Sequence, residues 1–317
     1  MSAPLVSVVI PTYARPERLQ ACLAALDAQT FRGPWEIVVV DDGSPEPIQN
    51  DRDHASQSAT HYPLIRVVRQ ENAGPAAARN HGVAVASAHV IAFTDDDCQP
   101  EATWLEQLFQ RWQLNPRAMI GGTTHNGLPE NPYSSSSQLI VDLVYRYFNA
   151  NPDRAYFLAS NNILCSRQQF LDLGGFDVSF PRAGAEDRDF CDRWRQQSWP
   201  LIWETGAHIT HFHHQNFKRY LDLHARYGRG AFLYHQKRKL RHSGSMSDDL
   251  GFHGTLVRLL YERWRIDKGN RKWPLIWMNL AMWQLANAYG FLMESWRAAW
   301  ISLESLVFKK SHPRRSL

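Results

Sequence analysis

The chain has 317 residues, of which 44% are hydrophobic and 21% charged, and a formal net charge of +4. That balance fits one large globular domain, alone or with an appendage, and excludes a disordered chain. Residues 1–215 hold 16 arginines, no lysine and 24 acids, a net of −8; residues 216–317 hold 19 basic and 7 acidic residues, a net of +12. An acidic body joined to a basic tail points to cation-assisted chemistry in the first part and contact with an anionic surface in the second. The four cysteines, Cys22, Cys98, Cys165 and Cys191, have no metal-type spacing and read as reduced thiols of a cytosolic protein. The start runs straight into a strand-like segment, without the basic and apolar regions of a secretory signal.

Val6–Ile10 is a β-branched run that reads as a buried strand ending at Pro11. Pro16 opens a helix whose apolar face is Leu19, Cys22, Leu23 and Leu26. Strands follow at Glu36–Val40, Ile65–Val68 and His89–Phe93, with an alanine-rich helix from Gly74-Pro75 to Ala86 and another over Glu101–Trp112. Strands that alternate with helices and are apolar throughout predict a mainly parallel sheet covered on both faces. Ligands of such sheets bind beyond the carboxyl ends of the strands. Further on, Ser134–Ser137 is a helix start or a loop, Asn162–Cys165 a strand, Gly174–Asp177 a turn, and Ala185–Trp199 a helix. After Phe217 the pattern is helical to the end, broken around Ser243–Asp249 and Lys268–Lys272.

Three strand ends carry polar residues: Pro11-Thr12-Tyr13, Asp41-Asp42 and Asp95-Asp96-Asp97. Adjacent carboxylates repel unless a cation or donors neutralise them, and hard oxygen ligands suit Mg²⁺ or Mn²⁺ bound with substrate phosphates. The alternative is a solvated acidic loop capping the next helix. Asp41-Asp42-Gly43-Ser44 also reads as a turn. Asn72–Asn80 brings small residues and Arg79 to a helix start, which suits close backbone approach to an anion. Glu186-Asp187 sits at another helix start, where acids are common for dipole reasons; the functional alternative is a general base within reach of an acceptor hydroxyl. His208, His211, His213 and His214 lack the spacing of a zinc site; if they end a strand beside the acids, His211 or His213 faces the metal or a diphosphate.

Taken in order, Val6-Ser-Val-Val-Ile-Pro-Thr-Tyr13, Val38-Val-Val-Asp-Asp-Gly-Ser44, Asn72–Asn80, Phe93-Thr-Asp-Asp-Asp97, Gly174-Gly-Phe-Asp177 and Glu186-Asp187 resemble the family 2 glycosyltransferases of the GT-A fold, over about residues 5–215. The resemblance implies that Pro11, Thr12, Tyr13 and Arg15 line a nucleotide pocket, that Asp41 or Asp42 bonds the base with Arg79 nearby, and that Asp95-Asp96-Asp97 supplies the Asp-x-Asp element. Asp97 and Asp95 are then the metal-side acids, Asp97 the more direct, with His211 or His213 beside them. Asp187 takes the place of the catalytic base, with Glu186 its neighbour. The Gln-x-x-Arg-Trp element of processive members is absent where expected, which favours transfer of one sugar, with inversion, from a nucleotide-diphosphate sugar. The fold expected is an α/β, GT-A-type, doubly wound sheet with a C-terminal helical extension, divided into residues 1–215 and 216–317.

The extension mixes Lys218, Arg219, Arg226, Arg229, Lys237, Arg238, Lys239 and Arg241 with aromatic residues, and Tyr227-Gly-Arg-Gly-Ala231 reads as a kink or loop. No nucleic-acid motif accompanies it, so the expected partner is an anionic membrane surface, at the inner face of the cytoplasmic membrane. Leu275–Met293 is uncharged over 19 residues but contains Asn279, Gln284 and Asn287. It reads as an in-plane helix, with a spanning helix and a helix packed on the body or on a second subunit as alternatives. Trp273, Trp277, Trp283, Trp296 and Trp300 read as interfacial anchors. The acceptor expected is a glycan or lipid-linked sugar of the cell envelope. Rival functions are a sugar nucleotidyltransferase, which lacks its Gly-rich loop after the first strand, and an inactive nucleotide-binding scaffold.

Overall fold

A computed structural model describes residues 3–48, 63–181, 184–266, 269 and 272–311. The β-branched runs pair as expected: β1 (Val6–Thr12), β2 (Trp35–Asp41), β3 (Leu64–Arg69) and β4 (Val90–Thr94) form a parallel half-sheet in the order β3-β2-β1-β4. The sheet continues through β7 (Asn162–Ser166), β6 (Met119–Asn126), β8 (Leu201–His211) and β5 (Cys98–Pro100), where β7 is antiparallel to both neighbours and β6 is parallel to β8. β1 does not stop at Pro11. It runs to Thr12, because beyond Val9 its β4 side is unpaired and the missing proline N–H is not needed there.

Successive strand residues point to opposite faces, and each face has its own core. Val6, Val8, Ile10, Ile37 and Val39 meet α1 (Pro16–Asp27) and α3 (Trp104–Leu114) through Leu19, Cys22, Leu26, Trp104 and Leu108. Val9, Val38, Val40, Ile91 and Phe93 meet α2 (Pro75–Val85), α5 (Arg167–Asp172) and α6 (Glu186–Gln196) through Ala78, Val83, Phe170, Phe190 and Trp194. The serine run is a helix start: Asn131 caps α4 (Pro132–Phe148) by accepting from the N–H groups of Tyr133 and Ser134. All four cysteines are buried free thiols.

The extension forms α7 (Phe217–Arg241), α8 (Met246–Ile266) and α9 (Trp273–Ser311). Of the predicted break at Lys268–Lys272, only 269 and 272 lie within the described residues. The expected kink at Tyr227–Ala231 is absent, and α7 is continuous. Its glycines serve close packing instead: a Cβ on Gly228 would overlap the Asn287 carbonyl, one on Gly290 the Ala225 carbonyl, and one on Gly230 the Gly184 carbonyl. α7 and α9 therefore cross with backbones in contact, in the small-residue manner. A third core joins Leu139 and Leu143 of α4 to Tyr220, Phe252, Leu256, Trp273, Ile276, Leu280 and Trp283, so it bridges the two parts of the chain. Trp273 and Trp283 are thus core residues and not interfacial anchors, whereas Trp277, Trp296 and Trp300 are exposed. No helix among the described residues is long and apolar enough to cross a membrane.

The charge asymmetry has a structural counterpart. Lys237 pairs with Asp177 at 2.8 Å, and Arg241 with Asp189 at 2.8 Å and Asp192 at 2.9 Å, so cations of α7 neutralise acids of the body. The glycine crossing yields a direct expectation: Gly228→Val should lower stability by about 3 kcal/mol, since the overlap is with a backbone carbonyl and no rotamer relieves it. Urea unfolding measures this; a midpoint equal to that of the parent would mean that the crossing has room for a side chain.

Candidate active site

Every predicted site residue except Asp41 lines one cavity of about 980 Å³ at the carboxyl ends of β1, β2 and β4: Pro11, Thr12, Tyr13, Arg15, Asp42, Arg79, Asp95, Asp96, Asp97, Glu186, Asp187, His211 and His213. Asp41 is turned inward. Its carboxylate accepts from the Ser44 N–H at 2.8 Å and pairs with Arg69 at 2.6 Å, fixing the turn after β2. Asp42 reaches the cavity while accepting from Gln70 and from the N–H groups of Ala73 and Gly74, so it also positions the start of α2.

The three acids after β4 have different surroundings. Asp95 pairs with Arg79 at 2.6 Å. Asp96 is buried, accepts from the Thr12 hydroxyl at 2.8 Å and meets Arg15 at 3.1 Å; burial pushes it up to about 7, against the pull of Arg15. Asp97 has Arg15 at 3.0 Å, Arg18 at 3.5 Å and His211 Nε2 at 3.2 Å. Burial opposes its charge, but the hydrogen bond and charge of His211, then Arg15, hold it well below the usual carboxylate range. His211 arrives there because the end of β8 pairs antiparallel with β5, Cys98 opposite His211. His213 stacks on His211 with ring centroids 5.0 Å apart, and burial, then the neighbouring His211, push it down to about 4.

Asp97, Cys98 and His211 offer ligand atoms within 4.8 Å of one another. Burial and the Asp97 charge raise the Cys98 thiol well above its ordinary value, so it stays protonated and is a poor ligand. Asp97 and His211 remain, one oxygen and one nitrogen, which fit a divalent ion that completes its shell with phosphate oxygens and water. Asp95 is not in that group; it faces Arg79.

Arg79 joins the two acidic motifs. It is 3% exposed, bonds Asp95 at one end and approaches Glu186 at 3.8 Å with the other. Its guanidinium lies 5.7 Å from the centre of the Phe176 ring, and Phe176 is held by Asn80, which bonds both its N–H and its carbonyl at 2.8 Å. Gly175, at φ +70°, leaves room for that clasp, since a Cβ there would strike the Asn80 side chain. The Asn72–Asn80 and Gly174–Asp177 motifs are therefore two halves of one mount for Arg79.

Ala185, at φ +69°, turns the chain into α6 so that Glu186 and Asp187 open the helix at the cavity wall. Glu186 accepts from the Gly184 N–H at 2.8 Å. Burial and then the Glu186 charge push Asp187 up to about 7. Arg18 and His224 are among the cavity residues that the sequence reading does not single out. Arg18 stands one turn after Arg15 on α1, and that i, i+3 spacing is a usable signal. His224 enters from α7, and no local pattern announces it.

With this geometry in place, comparison with known proteins decides the family. The family model described as glycosyl transferase family 2 matches residues 7–173. The chain belongs to glycosyl transferase family 2. It is 30% identical over 233 residues to a pre-mycofactocin glycosyltransferase of Mycobacterium tuberculosis, covering 71% of this chain and 46% of that one. It is 28% identical over 218 residues to a glucosyl-dolichyl phosphate glucuronosyltransferase of Haloferax volcanii, covering 65% and 68%. The chain spans less than half the length of the first relatives it matches. The crystal structure of GalNAc-T7 with UDP, GalNAc and Mn²⁺ superposes with a TM-score of 0.54 at 15% identity, over 80% of this chain and 55% of that one, and shares the GT-A fold.

The mount makes Arg79→Met a decisive family 2 variant. It leaves Asp95 and Glu186 without their shared cation, and loss of one partner from a buried charge pair costs about 3–5 kcal/mol. A fall in melting temperature matching that loss is expected; an unchanged melting temperature would mean the two acids do not rely on Arg79.

Proposed function

We propose that this family 2 member transfers a single sugar, with inversion, from a nucleoside-diphosphate sugar to an acceptor hydroxyl. The observation that carries this reading is that Asp97 and Asp187, 90 residues apart in sequence, line one cavity with Arg15, Arg18 and Arg79 among them. The family and the names of its relatives favour glycosyl transfer over nucleotidyl transfer, and the complete set of acids favours an active enzyme over a scaffold.

Pro11, Thr12, Tyr13 and Asp42 form the nucleotide end, Asp42 in preference to Asp41 because only Asp42 reaches the cavity. Arg15 and Arg18 supply charge for the diphosphate, and Asp97 with His211 would hold the cation. The imidazole nitrogen favours Mn²⁺ over Mg²⁺, which prefers an all-oxygen shell. Asp97 and His211 would thereby place Lewis-acid charge next to the leaving diphosphate, which is the chemistry such a cation would supply. Asp187 takes the proton of the acceptor hydroxyl as that oxygen attacks the anomeric carbon. Its environment raises its affinity for a proton, which makes it a stronger base than an ordinary carboxylate. Glu186 and Arg79 position it.

Asp187→Asn should keep nucleotide binding while turnover falls by about 10²–10⁴-fold. In the parent enzyme the active form is the carboxylate. Because burial raises its pKa, activity should approach its maximum about one pH unit above 7, be near half at about 7 and be lost as pH falls further. Near-normal turnover of the asparagine variant, or a flat profile between pH 5.5 and 8, would remove Asp187 from this role.

For the extension we infer contact with an anionic membrane surface. Trp277, Leu285, Tyr289, Leu292, Trp296 and Trp300 are exposed along one face of α9, with Arg297 beside them, and exposed apolar stripes of this size mark contact surfaces. Sedimentation with phosphatidylglycerol vesicles tests it: the double change Trp296→Asp, Trp300→Asp should reduce binding by about 100-fold or more, in line with loss of two buried indoles at about 1.5 kcal/mol or more each. Unchanged vesicle binding would reject the stripe as the contact, and a homodimer dissolved by the same change would assign the face to a second copy.

A further inference from the structure

The cavity does not end at the acids. Beyond Asp187 it continues into the space among α4, α7, α8 and α9, where its wall changes character: Ile140, Val144, Phe148, Phe252, Trp283 and Phe291 line it. The total volume, about 980 Å³, stands at the top of the roughly 300–1,000 Å³ range of single-ligand sites. With the base at the Pro11–Asp42 end, the rest of a nucleotide sugar, its diphosphate and hexose, is polar and has nothing to place against six apolar side chains. Five of the six belong to the third core or pack against it, yet they also line open space, which a core closed on itself would have filled.

His224 stands on the same wall. It is 2% exposed, and neither ring nitrogen has a hydrogen-bond partner. Tyr220, Tyr227 and Trp283 surround it with ring centroids at 4.4, 5.6 and 6.4 Å. Buried polar groups are almost always paired, so an imidazole left with both nitrogens free on a cavity wall is waiting for a polar group that occupies the cavity.

We propose that this lobe binds the acceptor, and that the acceptor is amphipathic: a hydroxyl-bearing head at Asp187, a polar group of that head on His224, and an apolar portion among α4, α8 and α9. This rests on the reading of Asp187 as the base and adds to it the chemical class of the second substrate. The apolar portion comes from one of two sources, a hydrocarbon chain or a flat ring system, and both would fill the same wall.

The test uses the full-length protein and two sets of probes, measured by calorimetry. UDP, GDP and dTDP with Mn²⁺ report the nucleotide end; methyl, n-octyl and 4-nitrophenyl β-glucosides, below any micelle concentration, report the lobe. An apolar group that buries even two methylenes gains roughly tenfold, so the octyl or nitrophenyl glucoside should bind at least about tenfold tighter than the methyl glucoside. A stronger octyl effect assigns a chain and a stronger nitrophenyl effect a ring. Val144→Trp, which fills the lobe, should bring all three glucosides to within about twofold while the nucleotide affinity stays unchanged. If that variant does not fold, Ala288→Phe, from the α9 side of the same cavity, replaces it with the same expectation. His224→Phe should weaken all three glucosides about equally, since it touches the head, and His224→Gln should recover part of the loss. Equal affinity for the three glucosides in the parent, with a nucleotide bound normally, overturns the lobe assignment alone. Absence of binding by every nucleotide overturns the glycosyl-transfer reading beneath it.

Discussion

Arg79 carries a full charge at 3% exposure, between Asp95 at the end of β4 and Glu186 at the start of α6. Burying an ion of this kind is unfavourable by several kcal/mol unless its partners are well placed, so the arrangement is stable only when both acids arrive together. The parallel half-sheet delivers one and the later helix delivers the other. Phe176, Asn80 and Gly175 then hold the guanidinium from the remaining side. The rest of the site follows from this constraint. Asp187 is set next to Glu186 at the cavity wall, and Asp97 stays free of Arg79 to meet His211 and Arg15.

Charge at this site is distributed by environment more than by residue type. Asp96 and Asp97 are adjacent, yet burial drives the first toward neutrality while His211 and Arg15 keep the second ionised. A run of three aspartates at a strand end therefore gives one ion pair to Arg79, one buried acid anchored on Thr12, and one strong anion facing the cavity. The mutual repulsion that makes such a run look unstable in isolation is removed by three arginines and a histidine from other elements.

Much of this was legible in the sequence. The runs of β1, β2 and β4 are apolar almost throughout, which marks them as strands buried on both faces, and their polar ends locate the cavity; the register between them comes only from the pairing. β5, β6 and β8 were missed: β5 is three residues long, β6 begins with Met119-Ile-Gly-Gly, and β8 carries Glu204, Thr205 and Gly206 in its middle. Their identity as strands comes from pairing with one another, which no local propensity encodes. The same applies to His211, whose place beside Asp97 depends on the Cys98–His211 register. Asp41 and Asp42 look interchangeable in sequence, and only the turn fixed by Ser44 and Arg69 separates an inward carboxylate from one at the cavity. The glycines of α7 were misjudged for a related reason. Glycine is a helix breaker by propensity, and a close backbone neighbour reverses its meaning.

That close neighbour links the two ends of the chain. Gly230 lies directly against Gly184, two positions ahead of Glu186, while Gly228 and Gly290 lock α7 to α9. The segment that introduces the acids thus leans on backbone supplied from the C-terminal third. Substitutions on the outward surface of α9 leave these contacts in place, because the contacts lie on its opposite, glycine-bearing side. Truncation or domain exchange at residue 215 has no such freedom, because it would remove the buttress behind the turn that introduces Glu186 and Asp187.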